Sequence, residues 1–301
     1  MMKIRKGPDG VHLFARQTGT NILLDEEIPE RSLWTNSPRQ VSIALTNICN
    51  LSCSHCYAPK YSASLAKESI KRWMTELDNA GCFSVGFGGG EPTLYPDLVE
   101  LCSFGHQETG LAMSLTTHGH QLSSKLIDEL KCNVNFIRIS MDGVGATYEA
   151  IRGRKFSHLL ATLKLVRGKI PFGINYVVNS KTIKDLPEAA KIAELNGATE
   201  LLLLPEVSVG RGVEITNSTL CQLQNWVLEY RGPLLLTVSA ANRDSFDYAA
   251  PLEKEPAFMS FVHIDASGHL KSSSFAEAGI KIDNEGVMSA FEQLTNSEYI
   301  E

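Results

Sequence analysis

The 301-residue sequence has no cysteine after Cys221, no block of lysine and arginine, and no long apolar run. Each absence excludes a class of protein. A membrane span needs about 20 consecutive apolar residues, so we expect none. Without basic blocks, and with a formal net charge of -6, we expect no nucleic-acid partner. The opening MMKIRKGPDG is followed by no apolar stretch, so it does not resemble a signal peptide and we expect a cytoplasmic protein.

Seven cysteines are present, and in such a chain they argue against a disulfide framework. Four of them are scattered and are interpreted as buried small hydrophobic side chains: Cys82, Cys102, Cys132 and Cys221. The other three, Cys49, Cys53 and Cys56, lie in TNICNLSCSHCYAP with the spacing C-x3-C-x2-C. Three thiolates on one loop can ligate three irons of a four-iron cluster and leave one iron open, which indicates a chemical metal site.

Short apolar runs alternate with helix-like segments in the first two thirds of the chain. The runs span 41–45, 83–89, 111–119, 135–143, 172–179 and 200–207. Strands that alternate with helices predict βαβ units and a parallel sheet. A complete eight-unit barrel needs about 250 residues. The six units therefore predict an α/β fold built on a partial, open (β/α)6 barrel.

The regions on either side of this alternation differ from it. In residues 1–39, two apolar runs flank Thr18-Gly19-Thr20, which predicts an N-terminal β-hairpin. The hairpin either covers an edge, which we favour, or pairs with a substrate strand. We expect the barrel to occupy 40–215 and a small α+β cap to occupy 216–301.

Polar and glycine-rich motifs follow the predicted strands, at the point where each strand ends. In order they are the cysteine loop, GGEP (89–92), TTHG (116–119), SMDG (140–143), Val178-Asn179 and Pro205-Glu206. Ligands of β/α barrels bind at the carboxyl ends of the strands. We therefore expect these motifs to meet in one site.

The cysteine spacing, GGEP after the next strand and ISMDG two strands later together resemble the radical S-adenosylmethionine (radical SAM) superfamily over about residues 40–207. The resemblance implies that Cys49, Cys53 and Cys56 hold one [4Fe–4S] cluster and that SAM chelates its open iron. SAM would be cleaved reductively to a 5′-deoxyadenosyl radical, which abstracts hydrogen from a substrate C–H bond. The competing interpretation is a zinc site, but zinc takes four ligands.

The resemblance also implies contacts to SAM. Gly89, Gly90 and Glu91 would receive the methionine amino group, because glycines allow close backbone approach and Glu91 adds an acceptor. His55 and Tyr57 would lie near the adenine.

Further SAM contacts implied by the resemblance come from later strand ends. Ser140 and Asp142 occupy the position that bonds the ribose. Arg152 resembles an arginine that clamps the methionine carboxylate, with a solvated surface arginine as the alternative. Thr117 occupies the threonine position of a Thr-Asn-Gly motif that relatives carry at the end of the third barrel strand.

His118 replaces the asparagine of that Thr-Asn-Gly. It either places a titratable group near the substrate or is a hydrogen-bonding residue of the rim. Asn175, Asn179 and Glu206 are further polar candidates at the barrel mouth. We name His118 and Glu206 as the candidate catalytic residues.

The tail FVHIDASGHLKSSSF resembles the opening of a SPASM or twitch extension, with a predicted hairpin around Ala266-Ser267-Gly268. In relatives a cysteine ligand of an auxiliary cluster follows, whereas here the corresponding residues include Ser272–Ser274. An auxiliary cluster needs several thiolates. We therefore expect the tail to keep the hairpin and bind no cluster.

The leading hypothesis is an enzyme that modifies a ribosomally made precursor peptide by cross-linking, epimerisation or a related change. It rests on the degenerate tail and on a hairpin that offers a docking surface. The alternative is a radical SAM enzyme acting on a small metabolite, a sugar or nucleotide, because a short tail without a cluster suits a smaller pocket. Either enzyme needs an electron donor such as flavodoxin or ferredoxin. A non-catalytic binding module is disfavoured because the cysteine triad and GGEP are intact.

Overall fold

A computed structural model describes residues 2–249 and 252–298. At the N-terminus, three antiparallel strands form a sheet of their own: β1 (Met2–Gly7), β2 (Gly10–Ala15) and β3 (Thr20–Leu24). The predicted hairpin corresponds to β2 and β3. The additional strand β1 was not predicted, because the basic residues of MKIRKG leave few apolar positions from which an alternation could be recognised.

Six strands follow the apolar runs of the sequence: β4 (Gln40–Thr46), β5 (Ser84–Gly89), β6 (Ala112–Thr117), β7 (Phe136–Ser140), β8 (Phe172–Val178) and β9 (Glu200–Pro205). Each is parallel to the next. The helices between them are α1 (Lys67–Asn79), α2 (Leu98–Glu108), α3 (Ser124–Leu130), α4 (Ala146–Arg152), α5 (Phe156–Val166) and α6 (Leu186–Leu195). The predicted partial, open (β/α) barrel is confirmed, and only the short helix α4 was not anticipated.

The C-terminal part contributes further elements: α7 (Asn217–Glu229), β10 (Leu235–Val238), α8 (Ala257–Ser260), β11 (Phe261–Ile264), β12 (His269–Lys271), β13 (Ile280–Lys281) and α9 (Val287–Glu298). The main sheet has ten strands in the order β10-β9-β8-β7-β6-β5-β4-β11-β12-β13. The predicted tail hairpin is β11 and β12. Because β10 is parallel to β9 and β11 is parallel to β4, the proposed cap extends both edges of the barrel sheet.

Helix α1 illustrates why the helices pack where they do. Ile70, Trp73, Met74 and Leu77 recur at helical spacing and are all buried against the sheet. The helix ends just before Gly81, whose φ of +93° is a left-handed conformation that favours glycine.

The two faces of the main sheet differ in composition. The face that packs against the helices is apolar and fully buried, and includes Val41, Ile43, Val85, Phe87, Met113, Leu115, Ile137, Ile139, Ile174, Leu201 and Leu203. The alternate residues form the inner face, which carries small and polar side chains such as Ser42, Gly86, Gly88, Ser114, Thr116, Arg138, Ser140 and Asn175. Thr116 is exposed although β6 lies in the middle of the sheet.

The N-terminal sheet packs at the amino ends of the barrel strands. The Phe14 ring stacks on Phe83 with centroids 5.1 Å apart, and Arg16 donates hydrogen bonds to the carbonyls of Thr109 and Leu111. These contacts lie just before β5 and β6. The sheet therefore covers the end of the barrel opposite the predicted site, and not a sheet edge as we favoured, since the edge strands of the main sheet are β10 and β13.

The four scattered cysteines divide into two pairs. Cys82 and Cys102 are buried as expected, and burial raises the pKa of their thiols to about 11 and about 12. Cys132 and Cys221 are exposed, so for them the expectation was wrong. None of the helices within residues 2–249 and 252–298 has the length and apolar character needed to cross a bilayer.

Candidate active site

The three cysteines lie on the loop that follows β4, and their thiols are free. Cys53 is buried, whereas Cys49 and Cys56 are partly exposed. Each sulfur has a hydrogen-bond donor: the Leu51 N–H on Cys49 (3.4 Å), Arg152 Nη1 on Cys53 (3.5 Å) and Lys60 Nζ on Cys56 (3.2 Å). Donors of this kind stabilise thiolates, which is the form in which cysteine binds an iron–sulfur cluster.

The three sulfurs do not converge on one point. In the part of the chain that the structure describes, no group of three Cys, His, Asp or Glu side chains is placed to hold a single metal ion. In the four-iron cluster that the spacing predicts, each thiolate binds a different iron. Convergence on one point is therefore not required there.

The GGEP segment packs directly on the cysteine loop. The N–H groups of Gly90 and Glu91 donate to the carbonyls of Thr46 and Ile48, at 2.7 and 2.8 Å. A Cβ added at Gly89 would lie well under 3.0 Å from the Thr46 carbonyl, and one at Gly90 equally close to that of Ile48. Both positions thus require glycine for the loop itself, before any ligand is considered.

The Glu91 carboxylate is buried and connects the ends of β5 and β6. One oxygen accepts hydrogen bonds from the hydroxyls of Thr93 and Thr117, both at 2.6 Å, and the other accepts the N–H of His118 at 2.9 Å. Glu91 and Thr117 lie at the site as expected. An ammonium bound here would share the carboxylate with these donors.

His118 connects the end of β6 to the cysteine loop. Its Nδ1 accepts the N–H of His120 at 3.0 Å, so the ring proton lies on Nε2. That nitrogen lies 2.8 Å from Asn50 Oδ1 and 3.3 Å from Glu91 Oε2. Burial lowers the pKa of the His118 ring. The geometry is therefore that of a neutral imidazole fixed between two acceptors.

Asp142, Arg152 and His55 form a buried charged cluster beneath Cys53. Asp142 pairs with Arg152 Nη2, lies 3.1 Å from His55 Nε2 and accepts the Val177 N–H at 2.8 Å. Burial would raise the pKa of the Asp142 carboxyl, but the Arg152 guanidinium and the His55 ring hold it well below its usual range. The Arg152 side chain is only 11% exposed, which contradicts the alternative of a solvated surface arginine.

Some buried polar atoms at the site have no hydrogen-bond partner within the described residues. They are His55 Nδ1, Arg152 Nε, Asn175 Oδ1 and Asn47 Nδ2. Buried polar groups are normally hydrogen-bonded, so such atoms point to a missing partner. A polar ligand such as SAM, held by Arg152, His55 and the neighbouring Ser140, fits this need.

Glu206, at the end of β9, is engaged on both oxygens. Asn179 Nδ2 donates to one at 2.7 Å, and the Val213 N–H donates to the other at 2.9 Å. The carboxylate thereby holds the loop 207–213 in place. Sequence reasoning named Glu206 and Asn179 but did not foresee that they bind each other.

The loop held by Glu206 supplies a site residue that sequence reasoning missed. The Arg211 N–H donates to the Cys56 carbonyl at 3.1 Å. Against the effect of burial, the side chains of Lys60 and Arg211 lower the pKa of the Cys56 thiol. Gly210 precedes it with φ +61°, and a Cβ there would lie 2.7 Å from the Cys56 carbonyl. The GRG triplet was the available signal, because an arginine between two glycines favours a tight, close-packed turn.

The C-terminal extension contacts the segment that follows Cys56. The rings of Tyr57 and Phe275 meet edge to face at 5.2 Å, and the Tyr61 hydroxyl lies 3.1 Å from Ser267 Oγ. Ser274, which directly precedes Phe275, is therefore close to Tyr57. The structure brings the tail, the cysteine loop and the strand ends to one end of the barrel.

Comparison with known proteins gives consistent results. The family model described as the Radical SAM superfamily matches residues 43–193. The AdoMet-dependent heme synthase of Methanosarcina barkeri is 30% identical over 189 residues, which cover 60% of this chain and 54% of that protein. The mycofactocin maturase MftC of Mycobacterium tuberculosis is 29% identical over 242 residues, which cover 76% of this chain and 59% of that protein. The chain thus spans about half the length of the curated relatives it matches.

A solved structure shares the fold. The crystal structure of Streptococcus suis SuiB bound to precursor peptide SuiA superposes with a TM-score of 0.77 and covers 96% of this chain and 87% of that one. At 14% identity this similarity concerns the fold alone.

Proposed function

Because the chain belongs to the radical SAM superfamily, we propose that it modifies a ribosomally made precursor peptide at a side chain or an α-carbon. The protein is a radical SAM enzyme whose cofactors are a [4Fe–4S] cluster and SAM. When bound, these cofactors supply hydrogen abstraction from an unactivated C–H bond. The cross-linking, epimerisation or related outcome then depends on how this chain orients its substrate.

The residues of the site divide into those that hold the cofactors and those that position them. Cys49, Cys53 and Cys56 would hold the cluster. The remaining candidates would bind SAM: His55, Tyr57, Gly89, Gly90, Glu91, Thr117, Ser140, Asp142 and Arg152. The hydrogen bonds of His118 and Glu206 support positioning roles rather than proton transfer, because both side chains are already engaged within the protein.

The observation that carries the peptide hypothesis is the uncovered inner face beside the cysteine loop. Thr116, in the middle of the sheet, is exposed, and a Cβ at Gly88 would meet no atom within 4 Å. An open trough of this kind admits a chain-like substrate. The mycofactocin maturase, matched over three quarters of this chain, supports the same class of function.

A small-metabolite substrate is the second candidate. Some relatives are named for products that are not peptides, among them the AdoMet-dependent heme synthase and an Fe-coproporphyrin III synthase. A tail without an auxiliary cluster also suits the smaller pocket that a sugar or nucleotide would occupy. In either case flavodoxin or ferredoxin is the proposed electron donor.

Anaerobic incubation of the reconstituted enzyme with SAM, dithionite and candidate substrates separates the two functions. We expect a precursor peptide to change: a mass loss of two hydrogens would indicate cross-linking or oxidation, and solvent deuterium uptake would indicate epimerisation. Turnover of a sugar nucleotide, with every peptide unchanged, would contradict the peptide hypothesis.

A further inference from the structure

The inner face of the sheet is hollow where a closed barrel is packed. In complete (β/α) barrels, bulky side chains from alternate strands fill the interior in layers. Here the inward positions next to one another on β4, β5 and β6 are Ala44, Gly88 and Thr116. Thr116 is exposed, and the space over Gly88 contains no atom within 4 Å of where a Cβ would lie. This hollow is reachable by a ligand.

An ion pair lies beside the hollow. Arg138, the neighbour of Thr116 on β7, has its Nη1 2.7 Å from Glu200 Oε1 on β9. The Thr237 hydroxyl donates to the same oxygen at 2.7 Å, and the Arg138 guanidinium lies 5.5 Å from the centre of the Phe136 ring. The two side chains are 29% and 14% exposed, although Arg138 Nη1 itself is buried and its contact with Glu200 lacks hydrogen-bond geometry.

Gly173 makes this pair possible. It stands between Arg138 and Glu200 in the register of β7, β8 and β9. A Cβ at this position would be 3.0 Å from the Phe136 ring and 3.2 Å from Glu200 Cβ. Placing partly buried charges costs desolvation energy that an apolar layer would avoid. Packing alone therefore does not explain why a charged pair, and not an apolar layer, occupies this position.

The opposite wall of the hollow is apolar. Leu202 and Leu204 are inward residues of β9, and Leu235 pairs with Glu200 at the sheet edge and is 64% exposed. Small-molecule and peptide sites typically combine an apolar wall with a few placed polar groups. The charges of Arg138 and Glu200 cancel, so the polar part offers donors and acceptors without net charge.

We propose that this inner trough, formed by Gly88, Thr116, Arg138, Glu200, Leu202 and Leu235, binds an uncharged amide group of the substrate together with an adjacent apolar side chain. The inference rests on the proposed function and names the substrate segment that it would recognise. A side-chain carboxamide matches a guanidinium beside a carboxylate, since its oxygen accepts hydrogen bonds and its NH2 group donates them. Ser140, two residues further along β7, lies about 7 Å away on the same face, so the segment would lie next to SAM.

The test uses the reconstituted, SAM-bound enzyme and blocked pentapeptides with Gln, Asp or Lys at the centre and leucine on either side. Calorimetric titration should give a Kd for the Gln peptide about tenfold lower than for the charged ones. The double variant Arg138→Gln with Glu200→Gln should weaken binding of the Gln peptide about tenfold. The matched control is Lys125→Gln with Glu129→Gln, an exposed pair on α3.

A second variant leaves the ion pair intact, so that its effect on peptide binding cannot be attributed to misfolding after loss of the pair. Gly88→Leu places a side chain in the open space and should block the Gln peptide, while SAM binding and the thermal unfolding midpoint stay near those of the wild type. SAM binding is the readout that separates a filled trough from a damaged cofactor site.

Each of three alternative outcomes would contradict the inference. Equal binding of the Gln peptide to wild type and double variant would remove the ion pair from recognition, yet leave the peptide hypothesis standing. Binding of UDP-glucose, with no peptide bound at millimolar concentration, would refute the trough assignment and the peptide hypothesis together. Tighter binding of the Asp or Lys peptide would show that the trough selects charge.

Discussion

The cysteine loop and the inner trough lie side by side at the same sheet and are built in opposite ways. Around the cysteine loop, each sulfur has a donor, and side chains from four strand ends connect to one another through Glu91, His118 and Asp142. Along the inner trough, Gly88 leaves open space, and the side chains of Thr116 and Leu235 are exposed. The difference indicates that the cofactor end is preorganised, whereas the substrate end is left open for a ligand to complete.

The largest expected effect comes from removing a cluster ligand. Cys53→Ala should abolish SAM cleavage under dithionite, because Cys53 is buried at the centre of the loop and the cluster cannot be held by two thiolates. Iron content and 5′-deoxyadenosine formation are the measurements. Cys132→Ala, at an exposed thiol outside the loop, is the control. Retained cleavage in Cys53→Ala would refute the cluster assignment.

A pair of glycine variants tests the contrast between the two regions directly. Gly90→Ala places a Cβ against the carbonyls of Ile48 and Asn47, whereas Gly88→Ala meets no atom within 4 Å. Forced overpacking costs about 1–3 kcal/mol, so Gly90→Ala should displace the cysteine loop and lower iron incorporation. Gly88→Ala should reconstitute normally. Equal iron content in both variants would show that the GGEP segment does not set the loop position.

His118→Ala should have an intermediate effect. It removes the contact to Asn50 and takes one partner from the buried Glu91 carboxylate, which costs about 1–3 kcal/mol. We expect lower cluster retention and faster amide exchange in the segment 49–52, partly restored in His118→Asn. His158→Ala, at an exposed ring on α5, is the control. Full cluster retention with loss of substrate turnover alone would instead return His118 to a role at the substrate.

The barrel strands were predictable because parallel strands buried by helices read as continuous apolar runs. The runs at 41–45 and 200–207 correspond to β4 and β9 to within two residues. The joining of β10 and β11 to that sheet was not predictable. The pairing of β11 depends on contacts between residues more than 200 positions apart, as between Val41 and Val262. That of β10 depends on contacts 35 positions apart, as between Glu200 and Leu235, and no local pattern records either.

The site was predictable to the extent that its residues lie in short motifs. The cysteines, GGEP and Asp142 can be recognised from their spacing and from their position directly after predicted strands. Arg211, Lys60 and Asn50 were missed, because each acts through a contact that exists only once a loop has closed. For the same reason the sequence did not reveal the hydrogen bond from Asn179 to Glu206, although both residues were named as candidates.

The smallest expected effect concerns the closed end of the inner face. His263 on β11 is buried beside Ser42, and burial lowers the pKa of its ring from the ordinary 6.5 to about 4, with Asp265 opposing and Lys271 reinforcing the shift. Since the unfolded chain takes up a proton near pH 6.5 and the folded ring does not until about pH 4, this contribution to stability is complete above 6.5 and is lost as the pH falls through that window.

In His263→Gln this loss of stability between pH 6.5 and about pH 4 should disappear. Urea unfolding between pH 7 and pH 5 should show a shallower fall in the free energy of unfolding, by up to about 1.4 kcal/mol per pH unit. His158→Gln, at a solvated ring, should keep the slope of the wild type. An unchanged slope in His263→Gln would mean that this ring is as open to water as Thr116, and that the inner trough continues to the β11 edge instead of ending there.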